Sequence, residues 1–341
     1  MKVYAGMDPR IPLREVGEYA RRVEAMGYDG LHVAETVHDA FMVAAFALEH
    51  TDQLVVRTSV ALAFVRSPLL TAYAAWDLAV MSGGRFQLGI GTQIRQNIED
   101  RYGMPWTAPV SRLREYVDVL SALFHSFRTG ERMHHEGADY RLTRLQPYFN
   151  PGPDESIAAP QIWLGGVNPL ICQLAGERAV GFVTHPTNSN PRYLETTCIP
   201  NLLVGLAAAG RERRDLELVV GLQMVTGATT AEIDTERDRQ RRLFAFLYST
   251  PAYQRTLELY GWDDLGPRLR ALIRADRWDD LANVVTDEIL DTLVPAATYR
   301  EVPARVRERV GALADGVLLT PPPDPRHDVL VAAAVADLHA S

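Results

Sequence analysis

An α/β fold, a (β/α)8 TIM barrel, is what this sequence predicts, on three observations. Short apolar runs alternate with amphipathic helical stretches eight times along the chain, the pattern of parallel strands joined by crossover helices. The runs are almost wholly apolar, as in Phe86-Gln87-Leu88-Gly89-Ile90-Gly91, and a strand without a polar face belongs in a sheet covered on both sides. No glycine- or serine-rich linker and no long charge block divides the chain, so residues 1–341 read as a single domain.

The elements follow in order. Val3 to Met7 is the first strand. Pro12 then opens a helix in which Leu13, Val16, Ala20, Val23 and Met26 recur at helical spacing, with Gly27 as its stop. Gly30 to Glu35 is the second strand, and Leu54 to Leu62 reads as one uninterrupted third strand. Pro68 opens a helix reaching Met81, and Ser82-Gly83-Gly84-Arg85 turns the chain into the fourth strand. Val110 to Phe127 is an amphipathic helix, after which residues 130–153 form an insertion with the look of a hairpin and loop. Gln161 to Gly166 is the fifth strand, with a helix from Pro169 to Arg178. Val180 to His185 is the sixth and Leu216 to Val225 the seventh. A charged helical stretch over 231–293 is a second insertion, so the insertions follow strands 4 and 7. Gly316 to Thr320 is the eighth strand, and a helix closes the chain.

Composition narrows the function. A hydrophobic fraction of 47% with 23% charged residues is that of a soluble protein with a sizeable core. No apolar run approaches the ~20 residues of a membrane span, and Met1-Lys2-Val3-Tyr4 shows no signal-peptide pattern. No membrane partner and a cytoplasmic location are expected. Cys172 and Cys198 are too few for a disulfide framework or a zinc site, and a net charge of -8 argues against nucleic acid as a partner. Lys2 is the only lysine. It begins the first strand, at the end of a barrel opposite the active face, which argues against Schiff-base and P-loop chemistry.

The motifs narrow it further. Gly89-Ile90-Gly91 starts like a dinucleotide fingerprint, but Ile94 stands where the third glycine is required. His134-His135 sit near a turn and read as solvated rather than as ligands; no metal is expected, and a metal-dependent hydrolase would need more than His38, Asp39 and His185. The strand exits are richer. The second ends in Glu35-Thr36-Val37-His38-Asp39, where His38 can act as general acid or base and Glu35 can orient or tune it. The sixth ends in Thr184-His185-Pro186, putting a second histidine on the same rim. The fifth ends in Gly165-Gly166-Val167-Asn168-Pro169, whose backbone amides form an anion site at a helix N-terminus. His38, Glu35 and His185 are the candidate catalytic residues. Phe41, Phe64, Tyr102 and Trp106 are candidate walls for an apolar substrate pocket.

Together these residues resemble the bacterial luciferase-like monooxygenase superfamily, and within it the branch that uses the deazaflavin coenzyme F420. The resemblance runs from Met26-Gly27-Tyr28-Asp29-Gly30 to Asp315-Gly316-Val317, and also includes Gly205-Leu206 and Ala209-Gly210-Arg211. Its most specific pieces are Ser82-Gly83-Gly84-Arg85 with Leu88 to Thr92, and Ile162 to Gly166. It implies a planar ring lying across the C-terminal mouth, backed by a bulge in the third strand that carries a non-prolyl cis peptide. The matching residues are Ser59, Val60 and Ala61. By the same implication Gly91, Thr92, Gln93 and Asn97 contact the ring or its tail, and Gly165, Gly166, Val167 and Asn168 hold its phosphate. Glu35 falls where F420-dependent relatives carry an aspartate. Thr36 stands where several have a catalytic histidine, so that role passes to His38.

The implied activity is hydride transfer between F420 and a small-molecule substrate: C=C or C=N reduction, or alcohol oxidation, by a homodimer. An FMN-dependent monooxygenase is the alternative, and a non-catalytic flavin-binding barrel a second. The lysines that grip sugar phosphate in the glucose-6-phosphate dehydrogenases of that family are missing here, which argues against that substrate.

Overall fold

The computed structural model describes residues 1–340. Eight parallel strands close into a barrel: β1 (Lys2–Gly6), β2 (Gly30–Val33), β3 (Val55–Thr58, resumed as Ala61–Leu62), β4 (Phe86–Gly91), β5 (Gln161–Gly166), β6 (Gly181–Thr184), β7 (Glu217–Val220) and β8 (Gly316–Leu318). Closure runs from β8 to β1, with Lys2 opposite Gly316, and each strand lies beside its sequence neighbours. All eight strands begin within one residue of where the sequence places them. Apolar residues such as Val3, Leu31, Val56, Leu88, Leu164 and Val317 are fully buried, as strands covered by helices on the outside require.

The third strand departs from the sequence reading. Arg57 pairs with Gln87 and Ala61 with Ile90, so residues 58–60 stand opposite only 88–89. One extra residue makes a bulge and splits the strand. The Thr58 hydroxyl bridges the gap, donating to Gly89 O at 2.7 Å and accepting from Gly89 N at 2.9 Å. The peptide Ser59-Val60 is cis.

The N-terminal end of the barrel holds a polar core that the sequence reading missed. Arg57 is fully buried, with its guanidinium 3.1 Å from the centroid of the Trp163 ring. It donates to Gln87, to Tyr4 Oη at 3.3 Å, and meets His32 Nε2 at 2.8 Å. Burial pulls this guanidinium down to about 10, and burial together with Arg57 holds His32 well below the usual imidazole range. Lys2 pairs with Glu217 at 2.8 Å at the same end, away from the mouth.

Both insertions are present. Residues 130–153 make a short hairpin, His135–Glu136 against Arg141–Leu142. His135 is tied to Glu115 at 3.0 Å, and no cluster suited to a metal ion occurs among the described residues. The second insertion is wider than the charged stretch that marks it. A parallel ribbon, Val225–Gly227 with Ala296–Thr298, closes its base, so Val225 lies outside β7. Its helices, including Thr230–Tyr248, Gln254–Leu259, Leu265–Arg274 and Asp287–Leu293, enclose a separate apolar core around Phe244, Leu257, Leu269 and Leu290. No helix is long and apolar enough to cross a membrane.

Candidate functional site

The C-terminal mouth is built around Val60. A Cβ on Gly91 would lie 2.8 Å from Val60 Cγ2, and one on Gly165 would lie 2.7 Å from Val60 Cγ1. The Val60 side chain therefore fits only because β4 and β5 both end in glycine, and it lies across their exits as a floor for the mouth. Ser59, Val60, Ala61, Gly91 and Gly165 are thus brought together. Ser59 N donates to Val33 O at 2.6 Å, which fixes the bulge to β2.

Beyond Gly91 the chain turns sharply. Gln93 has a left-handed backbone, φ 62°, and its Oε1 accepts the Ile94 N–H at 2.9 Å. The Thr92 hydroxyl donates to Gln93 O at 3.0 Å. Asn97, half-buried, begins a short helical turn, Asn97–Arg101.

At the exit of β5, Gly165 and Gly166 are still in register with Val183 and Thr184. The Gly165–Asn168 backbone expected to hold a phosphate thus straddles the end of the strand, with Val167 and Asn168 beyond the last paired residue. The Asn168 side chain caps the helix Pro169–Arg178 by accepting from Ile171 N at 3.0 Å. Tyr193 Oη donates to Val167 O at 2.6 Å and fixes that peptide. Backbone donors leading into a ten-residue helix suit a phosphate. The donor set and the apolar floor together fit a flat cofactor carrying one.

The candidate catalytic residues separate. No hydrogen bond joins Glu35 to His38 among the described residues. Glu35 Oε1 accepts from Arg66 Nη2 at 2.6 Å, and its Oε2 accepts from Arg66 Nη1 at 2.7 Å and from Leu62 N at 2.6 Å. That bidentate pair engages both carboxylate oxygens, so Glu35 does not orient His38 through a hydrogen bond. His38 is half-buried in the loop after β2 and has no hydrogen-bond partner among the described residues. Thr36 Oγ1, two residues before it, is buried and likewise unpartnered.

His185 stands four strands away, on the opposite side of the mouth. Its Nδ1 is 2.8 Å from Thr187 Oγ1 and accepts from Thr187 N at 3.3 Å. Tyr253, from the second insertion, stacks on the ring with centroids 4.7 Å apart, its hydroxyl 3.4 Å from Nε2. Burial pulls the His185 imidazole down to about 4. It is a neutral group near pH 7 and no store of protons. The loop behind it is buried under the insertion: Tyr248 Oη and Thr256 Oγ1 both donate to Thr187 O, at 2.8 and 2.9 Å.

Of the expected pocket walls, Phe41 and Phe64 belong to the core, 8% and 1% exposed. Trp106, edge-on to Phe64 at 5.6 Å, and Tyr102 remain half-buried. Sequence reasoning missed Arg66 and Tyr253. Arg66 lies in a turn without a motif, and Tyr253 reaches the mouth only through the fold of the insertion.

Comparison with known proteins agrees with this geometry. Residues 2–316 match the profile described as luciferase-like monooxygenase. An uncharacterized protein of Mycobacterium tuberculosis is 36% identical over 314 residues, covering 92% of each chain. The 5,10-methylenetetrahydromethanopterin reductase of Archaeoglobus fulgidus is 26% identical over 311 residues, covering 88% of this chain and 87% of its own. Among solved structures, the coenzyme F420-dependent tetrahydromethanopterin reductase of Methanopyrus kandleri superposes with a TM-score of 0.82 at 18% identity, over 98% of this chain and 97% of that one. On the match across nearly its whole length, with a barrel whose mouth is floored by the third-strand bulge, the chain belongs to the luciferase-like monooxygenase family.

Proposed function

We propose that this protein is an F420-dependent oxidoreductase that moves a hydride between the deazaflavin and a small organic substrate. The observation that carries the reading is the Val60 floor, seated between Gly91 and Gly165, one strand exit from the free amides of Val167 and Asn168. Relatives by sequence and fold that use F420 support it. Bound there, the deazaflavin would supply a hydride donor or acceptor.

The chain's own residues do the rest. The bulge fixes one face of the mouth, leaving the substrate the other, so the gain comes mainly from proximity and orientation. Ser59, Val60, Ala61 and Gly91 would meet the ring. Thr92, Gln93 and Asn97 would meet the ring edge or tail, and the Gly165, Gly166, Val167 and Asn168 backbone the phosphate. His38, free of partners, would give or take the proton that accompanies the hydride. His185, neutral and braced by Thr187 and Tyr253, would hydrogen-bond the substrate rather than protonate it.

The test is turnover: the absorbance of reduced F420 followed with a panel of imines and enones, and of oxidised F420 with alcohols. Substrate-dependent change in either direction supports the reading. Oxygen-dependent turnover with reduced FMN alone replaces it by the monooxygenase that the family's name describes.

The protein works, in this reading, as a homodimer joined through helices Ala40–Glu49 and Pro68–Ser82. Met42 on the first and Leu70 on the second are 51% and 62% exposed, and such an interface would cover them.

A further inference from the structure

We propose that Glu35 is a positioning residue: held by Arg66, its carboxylate fixes the bulge against which the cofactor ring rests. The inference rests on the function proposed above and departs from a role for Glu35 in proton transfer.

The bulge interrupts the ladder between β3 and β4, so residues 58–62 must be held by other groups. Glu35 reaches the bulge twice. Its own N–H donates to Val60 O at 3.4 Å, and its Oε2 accepts from Leu62 N at 2.6 Å. The carboxylate thus grips the segment just after Val60, while the backbone grips Val60 itself. Both oxygens also take the Arg66 fork. Three of the carboxylate's four lone-pair sites are taken by these donors, an arrangement suited to a brace.

Arg66 is itself held from three directions. Its Nη2 also donates to Asp39 Oδ2 at 2.8 Å, and Asp39 Oδ1 caps the helix Ala40–Glu49 by accepting from Phe41 N and Met42 N. The Phe41 ring lies 5.1 Å beneath the guanidinium. The Arg66 carbonyl accepts from Tyr116 Oη at 3.4 Å, and that hydroxyl is 2.6 Å from Thr71 Oγ1. The Glu35 side chain is 8% exposed and that of Arg66 18%, so water competes little for the pair. The chain of contacts runs from three outer helices through Arg66 and Glu35 to Leu62 and Val60.

The test compares Glu35→Gln, Arg66→Met and Arg66→Lys with the wild type. Glu35→Gln and Arg66→Met should each raise the Kd for oxidised F420 at least tenfold, while every limb of the pH–rate profile stays in place. Arg66→Lys should recover part of the loss, because lysine keeps the charge but not the fork. Without cofactor, Glu35→Gln should speed hydrogen exchange at the Leu62 amide, whose acceptor it weakens. A lost limb of the pH profile with Kd unchanged makes Glu35 an acid or base and overturns the proposal. A lowered Tm with Kd and profile unchanged makes the pair only a general support and also overturns it. Wild-type protein that binds neither F420 nor FMN defeats the function proposed above. In that case unaltered Leu62 exchange in Glu35→Gln separately defeats the brace.

Discussion

Replacing Gly165 by alanine tests the floor of the mouth at one atom. The new Cβ would lie 2.7 Å from Val60 Cγ1, against the ~3.5–4.0 Å of an ordinary carbon contact, an overlap of about 1 Å. Forcing a methyl into a packed site costs about 1–3 kcal/mol, and the stiffer unfolded chain returns about 0.4–1 kcal/mol. The net loss is about 0.5–2 kcal/mol. At ~2.1 cal/mol/K of unfolding entropy per residue, a chain of 341 residues loses about 1–3 °C in Tm. The effect on binding should be larger than that on folding if, in the function proposed, Val60 shifts into the mouth where the ring would lie. The Kd for F420 should rise about tenfold, equivalent to ~1.4 kcal/mol. Thermal unfolding and a fluorescence titration read the two quantities. The double variant Val60→Ala with Gly165→Ala removes the methyl that clashes, so it should bind F420 better than Gly165→Ala alone. Losses that simply add in the double variant would refute the packing of Val60 against Gly165.

Other outcomes follow from the same geometry. His185 titrates at about 4 in the fold against ~6.5 when free, so the unfolded chain takes up its proton first as pH falls. Its contribution is present above pH ~6.5 and is lost between ~6.5 and ~4, by about 3 kcal/mol. The stability of wild type minus that of His185→Asn, from denaturant titrations, should therefore fall by about 3 kcal/mol between pH ~7 and pH ~4, and parallel curves would contradict this. His38→Ala should lower kcat by about 10²–10⁴-fold with the F420 Kd unchanged; an unaltered kcat removes His38 from the proton path. Asn168→Ala should cost about 1 kcal/mol by uncapping the helix, with Asn168→Asp retaining the stability, as urea unfolding would show. Met42→Asp with Leu70→Asp should give a monomer by light scattering, whereas an intact dimer would place the interface elsewhere.

The barrel was legible because most of its strands are apolar runs without a solvent-facing side. Val3–Ala5, Leu88–Ile90 and Ile162–Leu164 could be placed nowhere but in a covered parallel sheet. The bulge was not legible locally: Thr58-Ser59-Val60-Ala61 has the composition of a plain strand, and only the resemblance marked it. Gly91 and Gly165 could be read as glycines at strand ends, but not as the two halves of a seat for Val60, because that contact joins residues 60, 91 and 165. Glu35 was chosen for its position at a strand exit. Its partner Arg66 lies 31 residues on, and pairing at that distance leaves no periodicity in a sequence. Arg57 reads as a polar interruption of an apolar strand, and its place among Trp163, His32 and Gln87 appears only when the barrel closes. Tyr253 belongs to an insertion whose helices pack mainly on their own core, so nothing in its neighbourhood along the chain points to His185.

The account stands on which cofactor the mouth accepts. Equilibrium titration of the purified protein with oxidised F420 and with FMN, each followed by fluorescence and each competed against the other, measures that directly. The account predicts saturable F420 binding that weakens in Gly165→Ala, with FMN displaced by F420 at comparable concentration. Tight FMN binding with no F420 binding, or F420 binding indifferent to Gly165→Ala, would contradict it.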